Sequence, residues 1–315
     1  MRNLLVAAVV IGVGGYFGAK FYVQYKAARD LDRVLVQARP IVDIQYQNVV
    51  ATLKGELRVD GIRIQLPQFD DPINIESLGV RTPSFLFLLG FGNGAEDFEF
   101  PDRLGVEVTG LRASVDADYM SLLKDARKLS VAAVELTPAD QCAGTYGFTP
   151  EALKRLGYYE LDVDFDANFR RSGGDELVLE IGTHVADMYA FDLTATFSGL
   201  ADPTALARGA RPLLVGGRLD YIDHSLNGRI LKHCAEQQVT AEDVIAAQLR
   251  EIQAVARESG MELDAMIIEP YTDFLLGKQR FTITSQPTRP VDLTRISLYK
   301  PSDVPNLLNL TAEAG

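Results

Sequence analysis

Apolar and polar residues alternate along most of this chain from Ile41 onward. Successive side chains of a β-strand point to opposite faces, so the alternation gives each strand one apolar and one polar face. Strands of this kind are typical of antiparallel sheets that cover a core on one side. The clearest stretches are Leu57–Leu66, Ile73–Val80, Val106–Val115, Leu161–Phe169, Leu177–Thr183, Met188–Phe197, Leu213–Tyr221, Arg280–Ser285 and Val291–Leu298. The pattern therefore predicts meanders of antiparallel strands.

A one-residue change of phase occurs at Asp60–Gly61. It predicts a bulge or a tight turn, because glycine adopts a positive φ without strain.

Residues 225–276 change to helical spacing. Thr240 precedes an apolar stripe and has Asp243 three residues later, which predicts a capped helix over Thr240–Glu258. Other helices are predicted at Asp118–Lys128, after Thr149-Pro150-Glu151, at Ser225–Glu236 and at Leu263–Leu276. The expected fold class is α+β, with an N-terminal transmembrane helix followed by mostly antiparallel β-meander sheets with inserted helices.

An apolar segment, Leu4–Ala19, continues through Phe21–Val23 after a single Lys20. At ~1.5 Å rise per residue it spans the ~30 Å hydrocarbon core of a bilayer if the lysine extends to the head groups. Gly14 and Gly18 form a small-xxx-small pair that permits close helix packing, although glycine is common in membrane helices in general.

Cleavage of this segment after Ala19 would place Phe17 at position −3, which fits a signal-peptide site poorly. We therefore expect a retained anchor. The Lys and Arg residues that follow the segment oppose an N-in orientation, whereas the composition of the following domain favours export. We expect a single-pass protein of the inner (cytoplasmic) membrane with its soluble domain in the periplasm. Its expected partner is the lipid bilayer, which residues 4–23 contact.

The expected organisation has four parts. Residues 1–39 form the anchor and a stalk helix, 40–128 a β-rich region, 129–300 an α+β region with helices near 225–276, and 301–315 a C-terminal tail.

The formal net charge of −12 excludes a nucleic-acid partner, since phosphate binding needs a basic surface. Cys142 and Cys234 are too few and too far apart for a zinc site or a disulfide scaffold. An even, low count permits one long-range disulfide in an oxidising compartment. The alternative is two buried thiols.

No catalytic, cofactor or metal motif stands out, and we expect no cofactor and no catalytic residue. Asp162, Asp164 and Asp166 share one strand face, most simply as a solvated surface. Asp223-His224-Ser225 contains the residue types of a catalytic triad, but neighbours in sequence do not converge on one substrate atom.

The most apolar stretch outside the N-terminal segment is Phe85-Leu86-Phe87-Leu88-Leu89-Gly90-Phe91. Seven residues cannot span a bilayer. The run is either a buried strand or helical turn, or an exposed apolar lip that contacts acyl chains through Phe85, Leu86, Phe87, Leu88 and Phe91.

The N-terminal segment, Pro40, and the stretches NVVATLKGELRVDGIRI (Asn48–Ile64) and INIESLGVRTPSFLFLL (Ile73–Leu89) resemble the opening of AsmA-like and YdgA-like bacterial envelope proteins. The resemblance implies an inner-membrane helix, a β-rich periplasmic part and, in the larger relatives, a groove for lipids.

We therefore expect a non-enzymatic, membrane-anchored cell-envelope protein that binds lipid or acyl chains in an apolar β groove. An assembly subunit that pairs with another membrane protein or with itself is the first alternative. A periplasmic hydrolase is the second.

Overall fold

The computed structural model describes residues 22, 24–29, 31–33, 35–36, 42–84, 87, 101–120, 137–143, 149–173, 175–200 and 209–315. The strands are β1 Asp43–Gln45, β2 Asn48–Ala51, β3 Glu56–Gln65, β4 Ile73–Arg81, β5 Arg103–Ser114, β6 Glu160–Arg171, β7 Glu176–Val185, β8 Tyr189–Ser198, β9 Leu213–Asp223, β10 Arg280–Ser285, β11 Val291–Asp292 and β12 Leu310–Ala314. The α-helices with defined bounds are α1 Pro138–Cys142, α2 Pro150–Arg155, α3 Leu226–Glu236, α4 Ala241–Glu258, α5 Ala265–Leu275 and α6 Val304–Leu307. Short 3-10 helices cover Asp118–Met120, Leu293–Leu298 and Pro301–Asp303.

The strands form one 12-stranded sheet in the order β1-β3-β4-β5-β6-β7-β8-β9-β10-β12, with β2 on β3 and β11 on β9. The expected α+β class with several meander sheets is therefore wrong, since the structure is a large antiparallel sheet with few helices. Periodicity locates strands, but it does not say which strands pair. When the strands join in one sheet, their backbone N–H and C=O groups form hydrogen bonds that would be missing at the edges of separate sheets.

The expected transmembrane helix is part of the same correction. No helix among the described residues is both long and apolar enough to cross a membrane. Residues 4–21, with Gly14 and Gly18, lie outside the described part of the chain.

The chain divides into two compact units. The first comprises Met1–Leu111 and Asp166–Arg170, and the second comprises Arg112–Phe165 and Arg171–Gly315.

In the first unit, the helical residues between 22 and 36 pack on the sheet. Ala28 and Leu31 contact a core cluster on β2 and β3, and Gln24 Nε2 donates to the carbonyl oxygen of Val49 at 3.2 Å. The hydroxyl of Tyr46 donates to Asp32 at 2.6 Å, and this bond, with burial, raises the pKa of Tyr46 to about 12. These described helical residues therefore lie against β1–β3.

The prediction at Asp60–Gly61 is confirmed only in the positive φ of Gly61, which is 63°; Asp60 pairs with Ser77 and Ile62 with Ile75 in one register, so β3 has no extra residue here and no bulge. β3 continues through this residue, so the feature is not a turn. A larger residue at this position would be strained by the positive φ, and its Cβ would lie 2.5 Å from the Gln47 side chain, which would have to move.

In the second unit, the sheet from β7 to β12 separates an apolar face from a polar one. Phe191, Leu193 and Ala195 of β8 pair across to Tyr221, Leu219 and Gly217 of β9, which pair in turn to Phe281, Ile283 and Ser285 of β10. The helices α4 and α5 contribute to the same core cluster as these strands. Polar residues occupy the intervening positions, as the alternation predicted.

The helices predicted after Thr149, at Ser225–Glu236, at Thr240–Glu258 and at Leu263–Leu276 are confirmed with small shifts of their bounds, whereas the helix predicted at Asp118–Lys128 is described only as the 3-10 helix Asp118–Met120 and otherwise lies outside the described residues. Thr240 caps α4 by accepting the backbone N–H of Asp243 at 3.2 Å, and Thr149 caps α2 by accepting the N–H of Ala152 at 3.2 Å. Local capping geometry decides both helix starts.

The C-terminal prediction is partly wrong. Val291–Leu298 is not one strand, because Asp292 accepts the backbone N–H of Thr294 at 3.0 Å and starts a 3-10 helix. β12 at Leu310–Ala314 was not predicted, since its five residues become a strand by pairing with β10.

A disulfide joins Cys142 at the end of α1 to Cys234 in α3, with Cα atoms 5.4 Å apart. Arg250 of α4 bonds Asp140 of α1 at 2.9 Å. The short helix α1 is thereby linked to both longer helices, and we call this arrangement the α1 clamp.

Asp140 of the clamp also accepts the hydroxyl of Thr137 at 2.6 Å and its N–H at 2.8 Å. Burial alone would raise the pKa of Asp140, but the bonds from Thr137 and Arg250 outweigh it and hold that pKa below its usual value. The clamp therefore contains an ionised carboxylate at neutral pH.

We predict that the denatured, unreduced protein contains no reactive thiol. Reduction should lower the free energy of unfolding by about 2–5 kcal/mol, because the disulfide closes a loop of 92 residues in the unfolded chain. Maleimide labelling and denaturant unfolding with and without reductant measure both effects. A Cys142→Ser/Cys234→Ser variant should not respond to reductant, and two labelled thiols per native chain would exclude the disulfide.

We also predict a pH-dependent contribution from Asp140. A carboxyl whose pKa is lowered on folding stabilises the fold above its unfolded pKa of ~3.9 and loses this effect as the pH falls through the folded pKa. Asp140→Asn should cost about 1–3 kcal/mol at pH 7. The difference from wild type should shrink below pH ~4, as measured by urea unfolding at several pH values. A difference that stays constant down to pH 2.5 would contradict the ionic role.

Candidate functional site

The apolar run Phe85–Phe91 lies outside the described residues except for Phe87, which is helical and half-buried. Neither the buried interpretation nor the exposed lip is decided for Phe85, Leu86, Leu88 and Phe91, and both stay predictions.

Asp223, His224 and Ser225 have separate neighbours, and the ring of His224 lies edge-on to the ring of His184 with the centroids 5.5 Å apart. The Asp223 carboxylate accepts the N–H of Asn227 at 3.1 Å and so caps the start of α3. Burial raises its pKa, against the opposing effect of the helix N–H groups. Ser225 Oγ donates to the carbonyl oxygen of Asp187 and lies 2.9 Å from the hydroxyl of Tyr158. These side chains do not form the hydrogen-bonded chain that a serine nucleophile requires.

The three aspartates of β6 have different partners. Asp162 lies 3.5 Å from Arg112, and Asp164 lies 3.8 Å from His184 Nδ1. Asp166 accepts from Asn168 at 3.0 Å. Among the described residues, no group of three or more His, Cys, Asp and Glu side chains is arranged to hold a metal ion.

A polar cleft of about 370 Å³ lies near the start of β6. The guanidinium of Arg229 lies 4.2 Å from the centre of the Tyr158 ring, and it donates to the carbonyl oxygens of Leu156 and Gly157. These bonds connect α3 to the end of α2, so Arg229 stabilises the packing of these two helices.

The second unit contains two neighbouring apolar cavities between the sheet and the helices. The first, of about 400 Å³, is lined by Leu193, Ala195, Leu214, Gly217, Arg218, Leu219, Ile252, Val255, Ala256, Ser259, Met261, Leu263, Ile267, Ile283, Ser285, Leu308 and Leu310. The second, of about 420 Å³, is lined by Ala143, Phe191, Leu219, Tyr221, Leu226, Asn227, Ile230, Gln248, Glu251, Ile252, Tyr271, Phe274, Phe281 and Ile283. Leu219, Ile252 and Ile283 border both cavities, and we call the pair together the apolar groove.

The floor of the first cavity is a row of small residues. Ala195, Gly217 and Ser285 lie side by side in the register of β8, β9 and β10. Each of the three side chains is small, so the surface of the sheet is recessed at this row. A Cβ on Gly217 would lie 3.2 Å from the carbonyl oxygen of Thr194, closer than most Cβ contacts.

The C-terminal half of α4 lines both cavities of the groove, together with α5, and α3 lines the second cavity as well. Val244 and Ala247 in the first half of α4 are 1% and 0% exposed, so this half packs tightly against the core. Ile252 is half-buried, and Val255 is 53% exposed although it lines the first cavity. The helix thus packs tightly at its start and leaves space beneath its end.

Part of the lining of the second cavity is polar. Asn227, Gln248 and Glu251 line it together with the phenol of Tyr271. Burial, with the nearby charge of Glu251, raises the pKa of Tyr271 to about 12, so its hydroxyl is a neutral hydrogen-bond donor. Burial, with the charge of Asp223, likewise raises the pKa of Tyr221.

These groove residues were not singled out from the sequence as a binding site. The apolar stripe that follows Thr240 consists of Ile245, Leu249, Ile252 and Ala256, and its spacing predicts one apolar face of a helix without indicating a cavity beneath it. A signal was present in Ala195, Gly217 and Ser285, which are small residues on the apolar sides of three strands. Only the strand register shows that these three are adjacent.

We predict that Ala256→Leu changes the free energy of unfolding by less than about 1 kcal/mol, because the new methyl groups enter the first cavity. Ala247→Leu is the matched control, since it makes the same change on the same helix at a fully buried position outside the cavities. Overpacking there should cost about 1–3 kcal/mol. Denaturant unfolding of both variants measures the difference, and equal losses would mean that no usable space lies under α4.

A family model described only as an uncharacterized protein matches residues 183–315, which include all the residues that line the groove except Ala143. No curated protein and no solved structure matches the chain.

Proposed function

We propose that this protein is a non-enzymatic cell-envelope protein that holds an acyl chain in the apolar groove of its second unit. The observation that carries the proposal is the pair of adjoining cavities beneath α4, lined mainly by aliphatic and aromatic side chains. Each falls within the ~300–1,000 Å³ range of small-molecule sites, which are mostly apolar with a few polar groups.

The half-buried state of the groove's central residues supports this occupant. Leu193, Leu219 and Ile283 lie in one cross-strand row near the middle of β8, β9 and β10, yet none is fully buried. Exposed aliphatic area in such a position is stabilised by an apolar ligand. Each methylene group that enters contributes ~0.8 kcal/mol, so a chain of roughly ten offsets the cost of association.

The proposed location is the inner membrane, with the second unit on its periplasmic side. The apolar segment 4–23 supports attachment to the bilayer. The Cys142–Cys234 disulfide supports an oxidising compartment, since such bonds are rare in the cytosol. In this setting the groove has acyl chains as its nearest apolar ligands.

We predict that the full-length protein extracted in mild detergent retains lipid or an acyl-chain compound in native mass spectrometry. Ala256→Phe should lower the retained amount about 10-fold, because the ring fills the space under α4. Ala246→Phe places the same ring on the exposed side of the helix and should retain lipid like wild type. Far-UV circular dichroism and the melting temperature check that both variants fold.

Two results would contradict the proposal. One is a wild-type protein without any bound lipid under conditions that preserve the fold. The other is equal retention by the Ala256→Phe and Ala246→Phe variants, which would place bound lipid elsewhere and favour the assembly function instead.

A further inference from the structure

The last strand of the sheet, β12, has one free edge. It pairs with β10 alone and ends the strand order. Gly315 donates its N–H to the carbonyl oxygen of Arg280 at 3.0 Å and accepts the N–H of Arg280 at 2.9 Å. Hydrogen-bonded and non-hydrogen-bonded pairs alternate along an antiparallel ladder. The backbone groups of Glu313 therefore face β10 as well, whereas those of Ala312 and Ala314 face away from it.

The outward backbone groups of Ala312 and Ala314 have no hydrogen-bond partner among the described residues. Such groups are a template for a further strand, and proteins usually protect them with proline, a bulge or lysine side chains. The strand β12 contains neither proline nor lysine, and its register with β10 is uninterrupted. On β2, which pairs with β3 alone, Gln24 by contrast donates to the carbonyl oxygen of Val49.

The helix α5 runs beside the free edge and packs against β12. Ile267 near the start of α5 and Leu310 at the start of β12 border the same cavity. Just beyond the other end of the helix, Gln279 donates its N–H to the carbonyl oxygen of Gly315 at 3.0 Å. An extended peptide that adds to this edge would form main-chain hydrogen bonds with β12 and turn alternate side chains toward the helical layer.

The two faces of the edge differ in chemistry. Ala312 and Ala314 belong to the core cluster on the helical side, and the exposed fractions of Met266 on α5 and of Leu276 directly after it are 53% and 66%. An added strand continues this apolar face, so its residues on the helical side are expected to be aliphatic.

Glu313 is the one charged residue of β12, and it lies exposed on the polar face. It forms no ion pair among the described residues. The nearby cations lie on inner strands: Arg280 on β10, and Arg218 on β9, which bonds Asp220 at 2.5 Å. The cross-strand neighbour of an added strand therefore contacts Glu313 directly, and a basic residue is favoured there.

We propose that the free edge of β12, beside α5, binds an extended segment of a partner protein in which aliphatic residues alternate with lysine or arginine. The segment pairs with Ala312 and Ala314, turns its aliphatic side chains toward α5 and places a basic residue beside Glu313. A second copy of this chain fits less well, since it brings a further Glu313 and a net charge of −12 to the same edge. The proposal is independent of the acyl-chain function.

The test uses the full-length protein in a non-ionic detergent and two fluorescent peptides of about seven residues, in which valine alternates with lysine or with glutamate. We expect the lysine peptide to bind about 10-fold more tightly in fluorescence anisotropy. Hydrogen exchange at the amides of Ala312 and Ala314 should be fast in the protein alone and slower with the lysine peptide bound.

The variant Ala312→Pro removes an N–H that faces away from β10, so it blocks an added strand and keeps the existing ladder. It should weaken binding of the lysine peptide about 10-fold. Ala312→Ser keeps the N–H, is the matched control and should bind like wild type. Glu313→Gln should weaken binding of the lysine peptide about threefold. The melting temperature checks folding, and if Ala312→Pro unfolds, Glu313→Gln and the exchange measurement still decide.

Four results would overturn the proposal. Slow exchange at Ala312 and Ala314 in the protein alone would show that the edge is already covered. Equal binding of the lysine peptide by wild type and by Ala312→Pro would place the peptide elsewhere, and equal binding of the two peptides would exclude selection for a basic segment. A dimer in mass photometry that Ala312→Pro dissociates would make a second copy the occupant. None of these results bears on the acyl-chain function, which depends on the cavities beneath α4.

Discussion

The register of β8, β9 and β10 is the constraint on which the second unit depends. It aligns Phe191, Leu193 and Ala195 with apolar or small partners on β9 and β10, and it places this set under the helices. A slip of one residue would turn this set to the polar face, where Arg218 and Asp220 now pair. The same register brings Ala195, Gly217 and Ser285 together, so the low floor of the groove follows from strand pairing.

The helices remain over this floor because α1 connects them. The disulfide holds α1 to α3, and the bond between Asp140 and Arg250 holds it to α4 just before the point where α4 leaves the sheet. The first half of α4 packs closely on the core at Val244 and Ala247. Space remains beneath Ile252 only if the second half of the helix does not move closer to the sheet. The clamp restricts that movement, so a structural disulfide and a short capping helix also preserve the groove.

A cavity of this kind has a cost in stability, since the side chains around it lose packing contacts. The core cluster that contains Ile267, Phe274 and Val304, each at most 3% exposed, supplies the compensating burial next to it. The helical layer packs closely at one end and incompletely at the other. This is the arrangement expected of a site in which an apolar ligand fills the remaining space. Glu251 and Tyr271 make part of the second cavity's lining polar, and water or a ligand head group can form hydrogen bonds with them.

The sequence by itself determined the local structure. Alternation located the strands of the second unit, Thr149 and Thr240 marked helix starts, and the stripe through Ile252 identified the inner face of α4, because backbone geometry and capping act over a few residues. It misjudged Val291–Leu298, where the Asp292 cap overrode strand periodicity, and it omitted β12, which exists only by pairing with β10. The single sheet, the contact of Asp140 with Arg250 across 110 residues and the row of Ala195, Gly217 and Ser285 were decided by the tertiary structure. The reason is that pairing between strands and packing of helices join residues far apart in sequence, and a pattern of period two or 3.6 carries no information about which partners meet.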